Sequence, residues 1–376
     1  MQPTHAFHLY QTNTPTTMKL KFSLILALSI TLIATTVWEL YWRNQGYYPT
    51  LNDEKALWSM ERAKVEEASD EDVIILGSSR AYFDIQVEEW KEQTGKYPIQ
   101  LASTGSSPLP TFHDIVHNTN FKGTVIIGVA PGLFFSTLMP EAFPWKRPQS
   151  KIDYFEDETY AQKLNFRLSI PLQNNLVLIS ADEEEWSDDI DLKALLNRYR
   201  IGDRTGSPEY PPFNNFGDVS IPRNMALSHR TETDKDFAQT VIDVWNFEPP
   251  KPPKSEQDST NSKKPEENKP KWPDKEGTTA FFMEDLKTFK ERNGTVVLVR
   301  CPSSGKVRQG EIKDVPRERF WDSLVKVADI PNYHFEDYEQ FKNLECPEES
   351  HLSKGDADYF TRELIKLLRN DGILNQ

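Results

Sequence analysis

The chain has 376 residues, with 58 acidic against 44 basic side chains and a net charge of −14. A surface of that sign repels a phosphate backbone, and no basic cluster or zinc-finger spacing offsets it, so the sequence implies no nucleic-acid partner. Nine Trp and 21 Phe suffice to fill a sizeable core, whereas two cysteines, Cys301 and Cys346, are too few for a disulfide scaffold and lack CxxC spacing.

After residues 1–20, the run Phe22 to Trp38 (FSLILALSITLIATTVW) carries no charge, and Leu40, Tyr41 and Trp42 extend it. A bilayer core takes about 20 apolar residues in a helix, so 21–42 predicts a transmembrane anchor. Lys19 and Lys21 precede it, and Glu39, Asp53 and Glu54 follow. The positive-inside rule then holds the N-terminus in the cytoplasm and exports the rest to the periplasm or cell surface. A cleaved signal peptide is the alternative, but the bulky Val37-Trp38-Glu39-Leu40 offers no small-x-small cleavage site. Met18 opens the stretch MKLK, which would serve as a start for such a segment.

Residues 43–130 form the first part of the exported domain. A helix is expected within Tyr47 to Val65, then a buried strand Val73 to Leu76 ended by Gly77. A helix over Arg80 to Gln93, a strand Pro98 to Ala102, a helix Thr111 to Asn118 and a strand Thr124 to Val129 follow. Strands alternating with helices at this spacing imply a parallel sheet with right-handed crossovers. The alternation stops over 131–247, a mostly helical insertion with helices expected from Tyr154 to Tyr199 and from Lys235 to Trp245, and a Gly-, Pro- and Asn-rich stretch from Gly202 to Ser220. Residues 248–277 (EPPKPPKSEQDSTNSKKPEENKPKWPDKEG) hold too little apolar surface to offset ordering entropy and are expected to be disordered. Over 278–376 the pattern resumes, with a helix Thr279 to Arg292, a strand Thr295 to Arg300, a helix Arg317 to Ala328, a weak strand near Tyr333 to Phe335 and a last helix from Asp356 to Leu368. The expected fold class is α/β, a three-layer α/β/α flavodoxin-like parallel sheet with a helical insertion.

Open sheets of this kind carry their sites in the loops leaving the strands' C-terminal ends. After the first strand stands Gly77-Ser78-Ser79-Arg80, and after the second the small-residue loop Ser103 to Pro108. After the third comes Gly128-Val129-Ala130, and before the last helix Glu348-Glu349-Ser350-His351. A serine needs an adjacent base that is itself oriented by a carboxylate. Ser79, His351 and Glu348 supply those three chemical types, with Ser78 as the rival nucleophile and an N-cap as the plain alternative for Ser79.

The order of these loops resembles the SGNH (GDSL-like) hydrolase superfamily over about 70–135 and 280–370. Gly77-Ser78-Ser79 is similar to its first block, Gly105 to the oxyanion glycine of the second, and Glu348-x-x-His351 to the D-x-x-H of the last, with Glu for Asp. The resemblance implies a serine esterase or O-acyltransferase acting on acylated carbohydrate, with catalytic Ser79, His351 and Glu348, oxyanion N–H groups at Ser79 and Gly105, and no cofactor. Single-pass members of this kind resemble envelope proteins that work beside a multi-pass acyltransferase. Where the third block carries Gly-x-Asn, this chain has Ala130. Losing such a donor costs about 2.7–4 kcal/mol in the transition state, so Arg80, Arg300 or an insertion residue would have to replace it. A non-catalytic protein that binds a glycan or a partner is the second reading.

Four further features invite inspection. Arg300, at the end of the fourth strand, could bind a substrate anion or pair with a local acid. Cys301 and Cys346 both emerge at the rim of the site, where an oxidising compartment would permit a disulfide. Phe134 and Phe135 could line an acyl pocket or pack in the core. His113 and His117 stand four residues apart on one helix face, as in a zinc site, but the sequence shows no third ligand.

Overall fold

The computed structural model describes residues 17–137, 140–179, 215–247 and 272–375. A mixed α/β fold is built on five parallel strands: β1 (Val73–Leu76), β2 (Ile99–Gln100), β3 (Thr124–Gly128), β6 (Thr295–Arg300) and β7 (Asn332–His334). Their spatial order is β2-β1-β3-β6-β7. β1 pairs Ile75 with Ile126, and β3 pairs Ile126 with Val297. Two further strands, β4 (Gly217–Ser220) and β5 (Asn224–Leu227), make a separate antiparallel hairpin.

Every residue of β1 and β3 is buried, because the sheet is covered on both faces. Side chains alternate between the two cores: Val73, Ile75 and Val297 enter one, and Ile74, Leu76 and Leu298 the other. The first is completed by Phe360, Leu364 and Leu368 of the helix Lys354–Asn370. The second is completed by Phe112 of Leu109–Asn118 and by Phe282 and Phe289 of Lys275–Glu291.

Several elements depart from expectation. The helix expected over Arg80 to Gln93 is two, Ser79–Asp84 and Val87–Thr94, broken at Ile85-Gln86. Gln86 is wholly buried there, accepting from the Asn224 side chain and donating to the carbonyls of Phe83 and Met225. The insertion is not helical throughout: after its helices Phe143–Asp157 and Tyr160–Gln173 it carries the β4–β5 hairpin, part of which falls in the Gly202 to Ser220 stretch. A helix Gly305–Asp314 follows β6, where none was expected. Its face buries no residue, so no apolar period announced it. Most of the expected disordered stretch lies outside the described residues, but its end is ordered. Trp272 donates to the Gly132 carbonyl (3.0 Å), the Asp274 N–H to the Phe135 carbonyl (2.9 Å), and Asp274 caps the helix starting at Lys275.

The N-terminal helix Thr17–Asn44 contains 25 residues, Leu20–Asn44, apolar enough to cross a membrane. At about 1.5 Å per residue it exceeds the ~30 Å hydrocarbon core, consistent with single-pass anchoring. Its end is tied to the insertion: the Val177 and Leu178 N–H groups donate to Glu39, and Arg43 donates to the Asn175 carbonyl (2.8 Å).

The short helix Ser79–Asp84 lies almost on the strand ends. A Cβ at Gly77 or at Gly128 would come within 2.4 Å of the Ala81 Cβ. Only two glycines admit so close an approach of helix to sheet. Gly128→Ala is therefore expected to push this helix outward and lower stability by about 1–3 kcal/mol, measured by urea denaturation.

Candidate active site

A cavity of about 700 Å³ opens above the C-terminal ends of β1 and β3, and both Ser79 and His351 line it. Each arrives there for a local reason. β1 stops at Gly77, Ser78 occupies the N-cap position, and Ser79 is the first residue of its helix, half-buried at the cavity floor. Ser78 also reaches the cavity but is nearly enclosed, and it is Ser78, not Ser79, that takes the cap position, without a side-chain cap bond. Gly105 sits at φ +60°, and a Cβ there would meet Phe143 at 3.2 Å and Arg147 at 3.3 Å. Among the described residues no acceptor is found for the backbone N–H of Ser79 or of Gly105.

His351 is 1% exposed and Glu348 not at all. The imidazole Nδ1 lies 2.8 Å from Glu348 Oε1, and the His351 backbone N–H donates to the same oxygen. The other oxygen accepts from the indole Nε1 of Trp245 at 2.6 Å. Burial would raise the Glu348 pKa, but the facing ring of His351 and these hydrogen bonds hold it below the ordinary carboxylate range. An ionised carboxylate at Nδ1 places the ring proton there and leaves Nε2 as the basic nitrogen. Nε2 is buried without a hydrogen-bond partner among the described residues. The ring is held by Phe83 (4.3 Å between centroids), Phe216 (5.6 Å) and Trp245 (6.3 Å). Asp84, at the end of the Ser79 helix, accepts from the Leu352 N–H (3.0 Å), which ties the serine helix to the histidine loop. Burial pushes the Asp84 carboxyl well above its ordinary pKa.

The two arginines behave differently from expectation. Arg300 is enclosed beneath the cavity rather than lining it, and bonds Glu311 (2.5 Å) and Ser303 (3.1 Å). It is therefore taken by a local acid, and the substrate-binding role falls away. Arg80 does reach the cavity, but its guanidinium is clamped by the same Glu311 and by Ser350 (3.4 Å). Ala130 lines the wall where the resemblance would put an asparagine. Cys301 and Cys346 are both buried free thiols rather than a disulfide. The histidine loop is braced instead by hydrogen bonds: the Cys346 N–H donates to Ser304 Oγ (3.0 Å) and the Ser304 N–H to the Glu349 carbonyl (2.9 Å). Phe134 and Phe135 are core residues with no exposed surface, and Leu133 lines the cavity beside them. His113 and His117 lie on Leu109–Asn118, outside the cavity lining, and meet Asp285.

Sequence reasoning missed Trp245, Phe216, Phe143 and Arg147, all lining the cavity from the insertion. No local pattern marks them, since each is placed by a contact far along the chain. Arg147 stacks on Phe143 at 3.7 Å and donates to the Thr104 carbonyl (2.6 Å), so it holds the Gly105 loop in place. In comparisons with known proteins, no family model and no curated protein matches the chain.

Glu311 carries a prediction about acid stability. Burial opposes its charge, but Arg300 and Arg80 bring its pKa down from 4.5 to about 2. A depressed carboxylate stabilises the fold above its unfolded pKa and loses that contribution as pH falls from 4.5 towards about 2. Glu311→Gln leaves two buried guanidinium groups uncompensated and is expected to lower stability at neutral pH by about 3–5 kcal/mol. Urea midpoints measured across the acid range should fall less steeply for the variant than for the wild type.

Proposed function

We propose that this chain is a membrane-tethered serine esterase or O-acyltransferase of the SGNH type, acting on acylated cell-envelope carbohydrate through an acyl-Ser79 intermediate. The observation that carries the reading is the buried Glu348–His351 pair, whose Nε2 has no partner among the described residues, in a histidine that lines the same cavity as Ser79.

In the proposed reaction, His351 Nε2 takes the Ser79 Oγ proton while that oxygen bonds to the ester carbonyl carbon. Glu348 stabilises the imidazolium, and the N–H groups of Ser79 and Gly105 donate to the oxyanion. Collapse breaks the ester C–O bond, and the departing alkoxide takes the proton from Nε2. Water, or a sugar hydroxyl in the transfer mode, then gives its proton to Nε2 as its oxygen attacks the acyl carbon. The second collapse releases Ser79, which recovers its proton from the imidazolium. No step uses a cofactor. The aromatic faces of Phe143, Phe216 and Trp245 suit a pyranose ring or an acyl chain. The charge bias around the N-terminal helix supports an extracytoplasmic domain in this reading, where a multi-pass acyltransferase could supply the acyl group. Ala130, without the usual amide, favours one other reading, a non-catalytic protein that binds a glycan or partner in this cavity.

A fluorophosphonate probe separates the two readings when applied to the full-length protein in detergent. Peptide mapping is expected to find the adduct on Ser79, absent from Ser79→Ala and kept by Ser78→Ala. Hydrolysis of a chromogenic acetate ester should fall roughly 10⁴-fold in Ser79→Ala and in Glu348→Gln. An unlabelled but folded wild type, or full activity in Ser79→Ala, would remove the acyl-serine mechanism and leave the binding protein.

A further inference from the structure

His113 and His117 stand one turn apart on the helix Leu109–Asn118, with ring centroids 4.2 Å apart. The fold brings them a third donor from the helix Lys275–Glu291. His113 Nδ1 lies 3.1 Å from both carboxylate oxygens of Asp285, and His117 Nε2 lies 2.8 Å from Oδ1. The three donor atoms fall within 4.8 Å of one another.

From this cluster we propose a binding site for a divalent transition metal of the zinc class, independent of the Ser79 reading. Three observations carry it. The first is the donor set: two imidazoles and a carboxylate suit zinc, with a fourth position left to water. The second is spacing. Zinc bonds of about 2.0–2.2 Å put tetrahedral donor atoms roughly 3.3 Å apart. Separations of 2.8 and 3.1 Å reach that value with a small outward rotation of the imidazoles, whose side chains are 49% and 41% exposed. The third is charge. The Asp285 side chain is only 2% exposed, and among the described residues its hydrogen-bond partners are those two rings. Buried carboxylates in proteins are paired or coordinate metals, and among the described residues the only polar groups that reach this one are two imidazoles, both of which are themselves metal donors. Phe281, one turn before Asp285, packs against His113 with ring centroids 5.4 Å apart and covers one side of that ring.

A bound ion would join a helix that precedes β3 to a helix that precedes β6, either side of the long excursion between them. Its effect would be to fasten the returning chain to the helical layer over which it packs.

The test uses full-length protein in detergent, purified through a tag without histidine and stripped with chelator. Calorimetric titration with zinc chloride is expected to give one ion per chain, accompanied by a rise in Tm. His117→Ala, at a half-exposed position, should keep its circular dichroism yet bind zinc about tenfold or more weakly and lose the Tm response. Asp285→Asn should do the same, and a His5→Ala/His8→Ala chain should bind like the wild type. Fluorophosphonate labelling of Ser79 should be unchanged throughout, so failure here is distinguishable from failure of the esterase reading. Wild-type zinc affinity in His117→Ala, or no stoichiometric binding by the wild type, would overturn the proposal.

Discussion

Glu348 has no exposed surface, so both of its carboxylate oxygens must be satisfied from within the protein. Taking a carboxylate out of water costs several kcal/mol unless hydrogen bonds and an opposing dipole or charge replace the lost hydration. Here the imidazole Nδ1, the His351 backbone and the Trp245 indole make that replacement. The consequences reach beyond local stability. The ring tautomer follows from where the carboxylate sits, the ring plane from the aromatic side chains packed around it, and the direction of Nε2 from both.

That one carboxylate also recruits the insertion into the site. Trp245 closes the helix Lys235–Trp245, and Phe216, just before β4, packs at 5.5 Å from its ring. The hairpin is held against the sheet by Arg223, a fully buried cation that bonds Asp53 through both oxygens and the carbonyls of Gln100 and Ala102. Asn224 then fills the break between the two helices after Ser79, accepting from the Val87 N–H and donating to Gln86. A segment that interrupts the βα alternation therefore supplies one wall of the cavity. It also supplies the outer hydrogen bond of the histidine–carboxylate pair.

Beneath the cavity, Glu311 binds Arg80 and Arg300 together. Arg80 follows Ser79 directly, Arg300 ends β6, and Glu311 lies on the helix between β6 and the next turn of the sheet. The ion triad thus fastens the serine elbow to the far half of the sheet. One carboxylate thereby holds two guanidinium groups.

Much of this was legible in the sequence wherever the controlling physics is local. An uncharged run of bilayer length, three short β-branched strands and a serine after a strand-ending glycine each depend on neighbours within a few residues, as does a histidine three positions after a carboxylate. All of these are present as expected. Tertiary structure alone decided that Arg300 belongs to Glu311, that both cysteines stay free, and that a β-hairpin stands within the mostly helical insertion. It also set Trp245 behind Glu348, 103 positions away, and Asp285 between two histidines more than 160 positions earlier. Hydropathy period and motif spacing describe which residues share a face of one element. They carry no information about which distant element that face will meet, because that choice is made only when the strands assemble and the two cores close around them.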